Sequence, residues 1–214
     1  MFESLNLYGL AIAACQQALQ ILGNSSDWTQ RILGLRLHQA ESRLSFHTQL
    51  ESTDELINDL RHEVWRIRTE YFQKLSAQHP SRLLPVVQLG WCLIGTKNWY
   101  EAIKLLEQHR PTQLTNTPEN LGLLLGLAEA QQAVRRFDDA LSTFVLLLES
   151  LEANELSSQE LDQSLEDQIP GLKGQSFYQR SLNRIKTLAE AMNVDGICEK
   201  CRQLAQKSTV STDK

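Results

Sequence analysis

The chain has 214 residues, 42% of them hydrophobic and 22% charged, with a formal net charge of −5. This acidic balance excludes a global electrostatic footprint for nucleic acid or an anionic membrane surface. Ten glycines and five prolines are few for the length, and such a composition suits helices in one domain or one extended array.

The first helix is expected over residues 4–22, with Leu7, Leu10, Ala14 and Leu22 on one face and Gly23-Asn24 stopping it. Within it, Ile12-Ala13-Ala14-Cys15 has the look of a lipoprotein cleavage box. The stretch before that box, MFESLNLYGL, carries Glu3 and no Lys or Arg, whereas a secretory signal needs a positive n-region, so the box is read as plain helix. Ser25-Ser26-Asp27 caps a second helix reaching about residue 50, striped by Leu33, Leu37, Ala40 and Leu44. Ser52-Thr53-Asp54-Glu55 opens a third, striped by Ile57, Leu60, Val64, Ile67, Tyr71 and Leu75. His79-Pro80 ends it, because the residue before proline is pushed out of the helical region.

Two hairpins follow, over residues 82–110 and 117–153, the second opened by Thr117-Pro118-Glu119 as hydroxyl cap, first-turn proline and first-turn acid. The polar stretch 154–175, broken at Ile169-Pro170-Gly171, reads as a short helix with a loop or as a linker. The last helices carry Tyr178, Leu182, Ile185, Ala189 and Met192, then Ile197, Cys201 and Leu204. The tail from Lys207 is expected to be disordered. The resulting division is an N-terminal helical region (1–80), two hairpins (81–153), an acidic linker with C-terminal helices (154–206) and a tail (207–214).

The two hairpins repeat one pattern. Trp99-Tyr100-Glu101-Ala102-Ile103 and Phe137-Asp138-Asp139-Ala140-Leu141 are each aromatic, two residues, alanine, aliphatic, and the alanines stand 140 − 102 = 38 residues apart. Upstream, Val86, Leu89 and Gly90 match Leu124, Leu127 and Ala128; downstream, Leu106 matches Phe144. The physical content is helix-on-helix packing. Gly90 against Ala102, and Ala128 against Ala140, let two backbones approach, Trp99 or Phe137 fills the corner at the turn, and Leu106 or Phe144 plugs the gap to the next hairpin.

Over residues 82–150 this pattern resembles the tetratricopeptide repeat (TPR) family, whose period is roughly 34 residues. The resemblance implies an all-α stack of antiparallel hairpins in a right-handed superhelix, with flanking helices. It also implies a concave groove lined by the first helix of each hairpin. In the first copy that wall would carry Leu84, Val87, Gln88, Trp91 and Gly95, and in the second Gly122, Leu125, Gly126, Glu129 and Ala133. Family members that clamp the terminal carboxylates of heat-shock chaperones use Lys, Arg and Asn at such positions, and neither copy has one. The groove expected here is apolar, with Leu84, Val87, Gln88, Trp91, Leu125 and Glu129 as its partner-binding residues.

Other chemistry is weakly signalled. Cys198-Glu199-Lys200-Cys201 is a CxxC, but without a second cysteine pair or a histidine pair at ligand spacing it reads as two thiols on one helix face. With Cys15 and Cys92 isolated elsewhere, the four thiols favour a reducing compartment and a cytoplasmic location. His62-Glu63-Val64-Trp65-Arg66 begins like a zincin helix but has Arg66 where the second histidine must stand. His38, His47, His79 and His109 are scattered, and Gly122-x-x-x-Gly126 marks close packing of soluble helices. The longest apolar run, Leu121–Ala128, falls far short of the roughly 20 residues of a membrane span, so no membrane insertion is expected. Acids accumulate from Asp138 to Asp167, and bases follow from Lys173, as two solvated faces that attract each other or as an acidic surface that steers a basic partner. The expectation is therefore a non-catalytic adaptor, assembly factor or chaperone with no cofactor and no metal, holding a peptide or helix of a protein partner. A structural subunit with its groove filled by a neighbouring chain is the alternative, a helical enzyme with an unrecognised site comes third, and a homo-oligomer stays open.

Overall fold

The structure, a computed structural model, describes residues 2–23, 26–110, 116–153, 158–166, 169 and 176–210. Among these residues the chain is all-α: ten helices that pack on their neighbours, and no strand. It divides into two compact units, Met1–Pro80 and Ser81–Lys214.

The first unit holds α1 (Phe2–Leu22), α2 (Ser26–Gln49) and α3 (Asp54–Gln78). Helix α2 packs on both α1 and α3. Its stripe of Leu33, Leu37 and Ala40 is buried, Leu37 and Ala40 against Val64 and Ile67 of α3, with Leu44 and Tyr71 half-buried at the margin. Arg43 with Glu63, and Arg68 with Glu41, tie the two helices along their rim. Helix α1 departs from expectation. Leu7, Leu10 and Ala14 point outward, and the face turned inward is Tyr8, Ala11, Ile12, Cys15, Ala18 and Leu19, with Cys15 the most buried of them. Both faces are apolar at helical spacing, so the sequence alone could not choose between them. Leu22's side chain lies outside the described residues.

The second unit holds α4 (Leu83–Gly95), α5 (Trp99–Gln108), α6 (Pro118–Ala133), α7 (Phe137–Glu152), α8 (Ser158–Glu166), α9 (Phe177–Ala191) and α10 (Asp195–Val210). The hairpins α4–α5 and α6–α7 stand side by side, α6 touching both α4 and α5, while α8 lies on α6 and α9 packs on α7. Thr117 caps α6 as expected, its hydroxyl accepting from the Asn120 amide at 3.4 Å. Ser176 caps α9 in the same way at 3.1 Å. Helix α10 runs to Val210, so the tail expected to be disordered from Lys207 is helical for four residues. Residues 211–214, and most of the stretch 154–175, lie outside the described residues.

In the second unit three hairpins close with one turn, which also ends α2 in the first unit, where Ser52 N–H donates to His47 O (3.1 Å) past left-handed Glu51 (φ 49°). After α4, Asn98 N–H donates to Leu93 O (2.8 Å); after α6, Arg136 N–H to Gln131 O (2.9 Å); after α9, Val194 N–H to Ala189 O (2.9 Å). Each turn places a left-handed residue between the helices, Lys97 (φ 61°), Arg135 (φ 63°) and Asn193 (φ 57°). This six-to-one bond with a left-handed residue inside it is the Schellman closure of a helix end. Five residues on stand Ala102 (102 − 97), Ala140 (140 − 135) and Cys198 (198 − 193), all buried.

Small residues govern the spacing. A methyl at Gly90 would stand 2.6 Å from Leu106 Cδ2, so the hollow over that glycine is filled from within the hairpin by Leu106 of α5, where the sequence placed Ala102 and sent Leu106 to the next hairpin; the longer side chain reaches the space the missing Cβ leaves. Ala102, Leu106, Ala128, Ala140 and Phe144 are fully buried. The corner aromatics are looser than expected: Trp99 is half-buried and Phe137 is exposed.

Candidate functional site

The wall expected to bind a partner is formed by α4 and α6. Val87, Leu125 and Trp91 have 0%, 0% and 2% exposure, Glu129 has 8%, and only Leu84 and Gln88 are half-exposed. The wall is therefore covered, and what covers it belongs to the same chain. Gly122 leaves a hollow that Ile169 occupies, since a Cβ at Gly122 would collide with Ile169 Cδ1. Gly126 leaves a second hollow for the Trp91 ring, whose Nε1 would sit 3.2 Å from a Cβ there. The two glycines four residues apart thus seat two apolar groups on one face of α6, one from α4 and one from beyond α8.

Polar chemistry locks this arrangement. The Trp91 indole N–H donates to the carbonyl of Gly122 at 3.0 Å, so the ring is held at its polar edge as well as by packing. The Arg180 guanidinium of α9 lies 5.2 Å from the Trp91 ring centroid. It also donates to both carboxylate oxygens of Glu129, Nε to Oε1 at 2.7 Å and Nη2 to Oε2 at 2.6 Å. Arg184 Nε stands 3.6 Å from Glu129 Oε1. A buried carboxylate needs such a fork, because an unpaired charge away from water costs several kcal/mol. Glu129 is thus the acid that α9 recognises, a pairing that a helical wheel of α6 alone does not reveal.

A second polar cluster ties the hairpins together. Buried Thr143 donates to Gln131 Oε1 (2.9 Å), Gln131 Nε2 donates to Glu107 Oε1 (3.4 Å), and Arg136 bridges Glu107 (3.2 Å) and Asp139 (2.7 Å). The Asp139 hydrogen bond is the largest influence raising the Arg136 pKa above its ordinary value. This chain of contacts joins α5, α6 and α7 across the hairpin boundary.

The cysteine pair is packed away. Cys198 and Cys201 are buried, and burial first, then the neighbouring Cys198 thiol, pushes the Cys201 thiol up from 9.0 to about 11. A raised thiol pKa keeps the group protonated and unreactive. Among the described residues no three His, Cys, Asp or Glu side chains gather into a metal-holding group, and no described helix is long and apolar enough to cross a membrane. Among the described residues Lys200 pairs with Glu152 of the acidic run (3.5 Å), while the buried anchor of α9, Glu129, precedes the run.

Sequence reasoning brought Val87, Trp91, Leu125 and Glu129 to one wall but missed Ile169, Arg180 and Arg184, which close it. Ile169 was hidden in a loop signature, and Arg180 was one base among several with nothing to single it out. The chain matches no protein-family model and no curated protein.

Proposed function

We propose that the chain is a non-catalytic protein–protein interaction module of the TPR kind, an adaptor, assembly factor or chaperone. The observation that carries this reading is the recurrence of one hairpin design. The closing turn and the buried alanine after it repeat at the same spacing in both hairpins (135 − 97 = 38 and 140 − 102 = 38). Consecutive hairpins of this design present side chains at fixed intervals, which is what recognition of an extended peptide or a helix requires.

The wall itself specifies the ligand chemistry. Its hollow at Gly122 takes an aliphatic side chain, and Trp91 with Glu129 takes a guanidinium. A partner segment reaches the wall by bringing those two groups in place of Ile169 and Arg180. Affinity capture of the full chain identifies candidate partners. Titration of a candidate into a variant whose only tryptophan is Trp91 (Trp28, Trp65 and Trp99 replaced by Phe) then reads the wall directly. A saturable change in Trp91 fluorescence supports the reading, and binding that leaves Trp91 silent removes the wall from it.

The burial of Glu129 under Arg180 favours a second reading, a structural subunit whose wall stays closed and whose contacts lie elsewhere. It is distinguished by the same titration, since a permanently closed wall keeps its Trp91 signal while the complex forms.

A further inference from the structure

Helix α8 stands apart from the hairpins around it. The two helices of each hairpin in the second unit are joined by three residues, whereas five (153–157) join α8 to α7 and ten (167–176) join it to α9. Helix α6, on which it lies, is buried at every position from Asn120 to Gln131. Helix α8, SQELDQSLE, has two leucines among seven polar residues.

Those leucines begin a register. Leu161 and Leu165 are 1% and 0% exposed, and Ile169, 1% exposed, continues the stripe, its N–H donating to Leu165 O at 2.9 Å with helical spacing. Gln159, Glu160 and Gln163 are exposed. Aliphatics at i, i+4 and i+8 under a polar back are the pattern by which an amphipathic helix docks in a groove of another protein.

The receiving surface is built into α6. A methyl at Gly122 would collide with Ile169 Cδ1, yet would meet Val87 Cγ1 of the neighbouring hairpin at 3.4 Å, an ordinary contact. The packing of α4 on α6 therefore does not need a glycine there, and the stripe of α8 does. At the other edge, Asp162 Oδ1 accepts from the Tyr178 N–H at 2.9 Å. That amide lies in the first turn of α9, where water serves equally as acceptor.

We propose that α8 is an internal ligand that closes this surface, and that the partner is an amphipathic helix with aliphatic side chains at i, i+4 and i+8 which takes its place. The proposal rests on the reading of the wall as a recognition surface and adds what its ligand looks like and what keeps it out. The tether sets the threshold. A linked segment acts at an effective concentration on the order of 1 mM, so a partner present at about 1 μM displaces α8 only if it binds roughly a thousandfold more tightly.

The test uses the full chain and a labelled synthetic peptide of residues 158–170. Leu161→Ser with Leu165→Ser removes two anchors of α8, and this variant should bind the peptide at least about a hundredfold more tightly than the wild type, whose surface is filled. Adding Gly122→Ala should weaken the peptide at least about tenfold, because the methyl takes the space of Ile169. Hydrogen exchange of the wild type needs no variant, and it decides alone should the serine variant lose its helical circular dichroism spectrum. The Leu165 and Ile169 amides should exchange at least about tenfold faster than those of Leu124 and Leu127, by an opening that leaves α6 closed. A helical variant that binds no peptide, binding indifferent to Gly122→Ala, or α8 amides that open only together with α6 would each overturn the inference. Such a result leaves the hairpin reading standing, since the Trp91 titration with a captured partner decides that separately.

Discussion

Trp91 shows how one side chain serves packing and polarity together. Its ring is buried between α4 and α6 over Gly126, its N–H is satisfied by Gly122, and its face carries Arg180. Trp91→Ala should cost about 3–5 kcal/mol in urea unfolding, the usual cost of emptying a buried aromatic site. Trp91→Phe should recover most of the packing while losing the indole N–H bond to the Gly122 carbonyl. A Trp91→Ala protein of unchanged stability would mean that the ring is not core. Cys201 makes a prediction in pH. Its folded pKa lies at about 11 against 9.0 ordinarily, and burial raises Tyr178 in the same direction. Below pH 9 both folded and unfolded chains keep the Cys201 proton and its contribution is complete. Between pH 9 and about 11 the unfolded chain loses that proton first, so stability falls as pH rises. Urea midpoints at about pH 8 and about pH 10 should differ in that sense, and Cys201→Ala should reduce the difference. A midpoint that rises with pH over this window would contradict it.

At the scale of elements, the hairpin is the unit of design. Each turn needs one left-handed residue, and here Lys97, Arg135 and Asn193 supply it without glycine. The strain of an L-residue there is held by the bonds on either side. The contact that fixes the helices is then a small residue against a larger one. Ala140 has no exposed surface, so Ala140→Leu should force α6 and α7 apart and cost about 1–3 kcal/mol. Gln132→Glu, on a half-buried position without a packing role, should change stability by no more than about 0.5 kcal/mol. Equal losses in thermal melts of the two variants would mean that the hairpin register is misplaced. The hairpins were legible in the sequence because an aromatic, small residues and aliphatics recur at one spacing, which is a local rule. The face of α1 was not, because two apolar faces satisfy the same rule and only the neighbour α2 selects between them.

For the whole molecule, the two compact units imply separable folding. Each has its own core, Val64, Ile67, Leu37 and Ala40 in the first, and the α4–α9 interior in the second. The chain from Ser81 to Lys214, produced alone, should therefore keep a helical circular dichroism spectrum and the buried emission of Trp91. An unfolded fragment would show that the second unit needs the first.

The sequence by itself determined the helices, the Thr117 cap of α6 (Thr53 makes no such bond at the start of α3), the two central hairpins and the apolar character of the wall, because those follow from periodicity and from residues close along the chain. Tertiary structure alone decided what lies on that wall. Ile169 meets Gly122 across 169 − 122 = 47 residues, and Arg180 meets Glu129 across 180 − 129 = 51. Pairings over such distances leave no local period, since a lone isoleucine beside a proline and one arginine among several look the same whether or not they have a partner. Only the folded backbone brings a hollow and its filler, or a carboxylate and its guanidinium, to the same place.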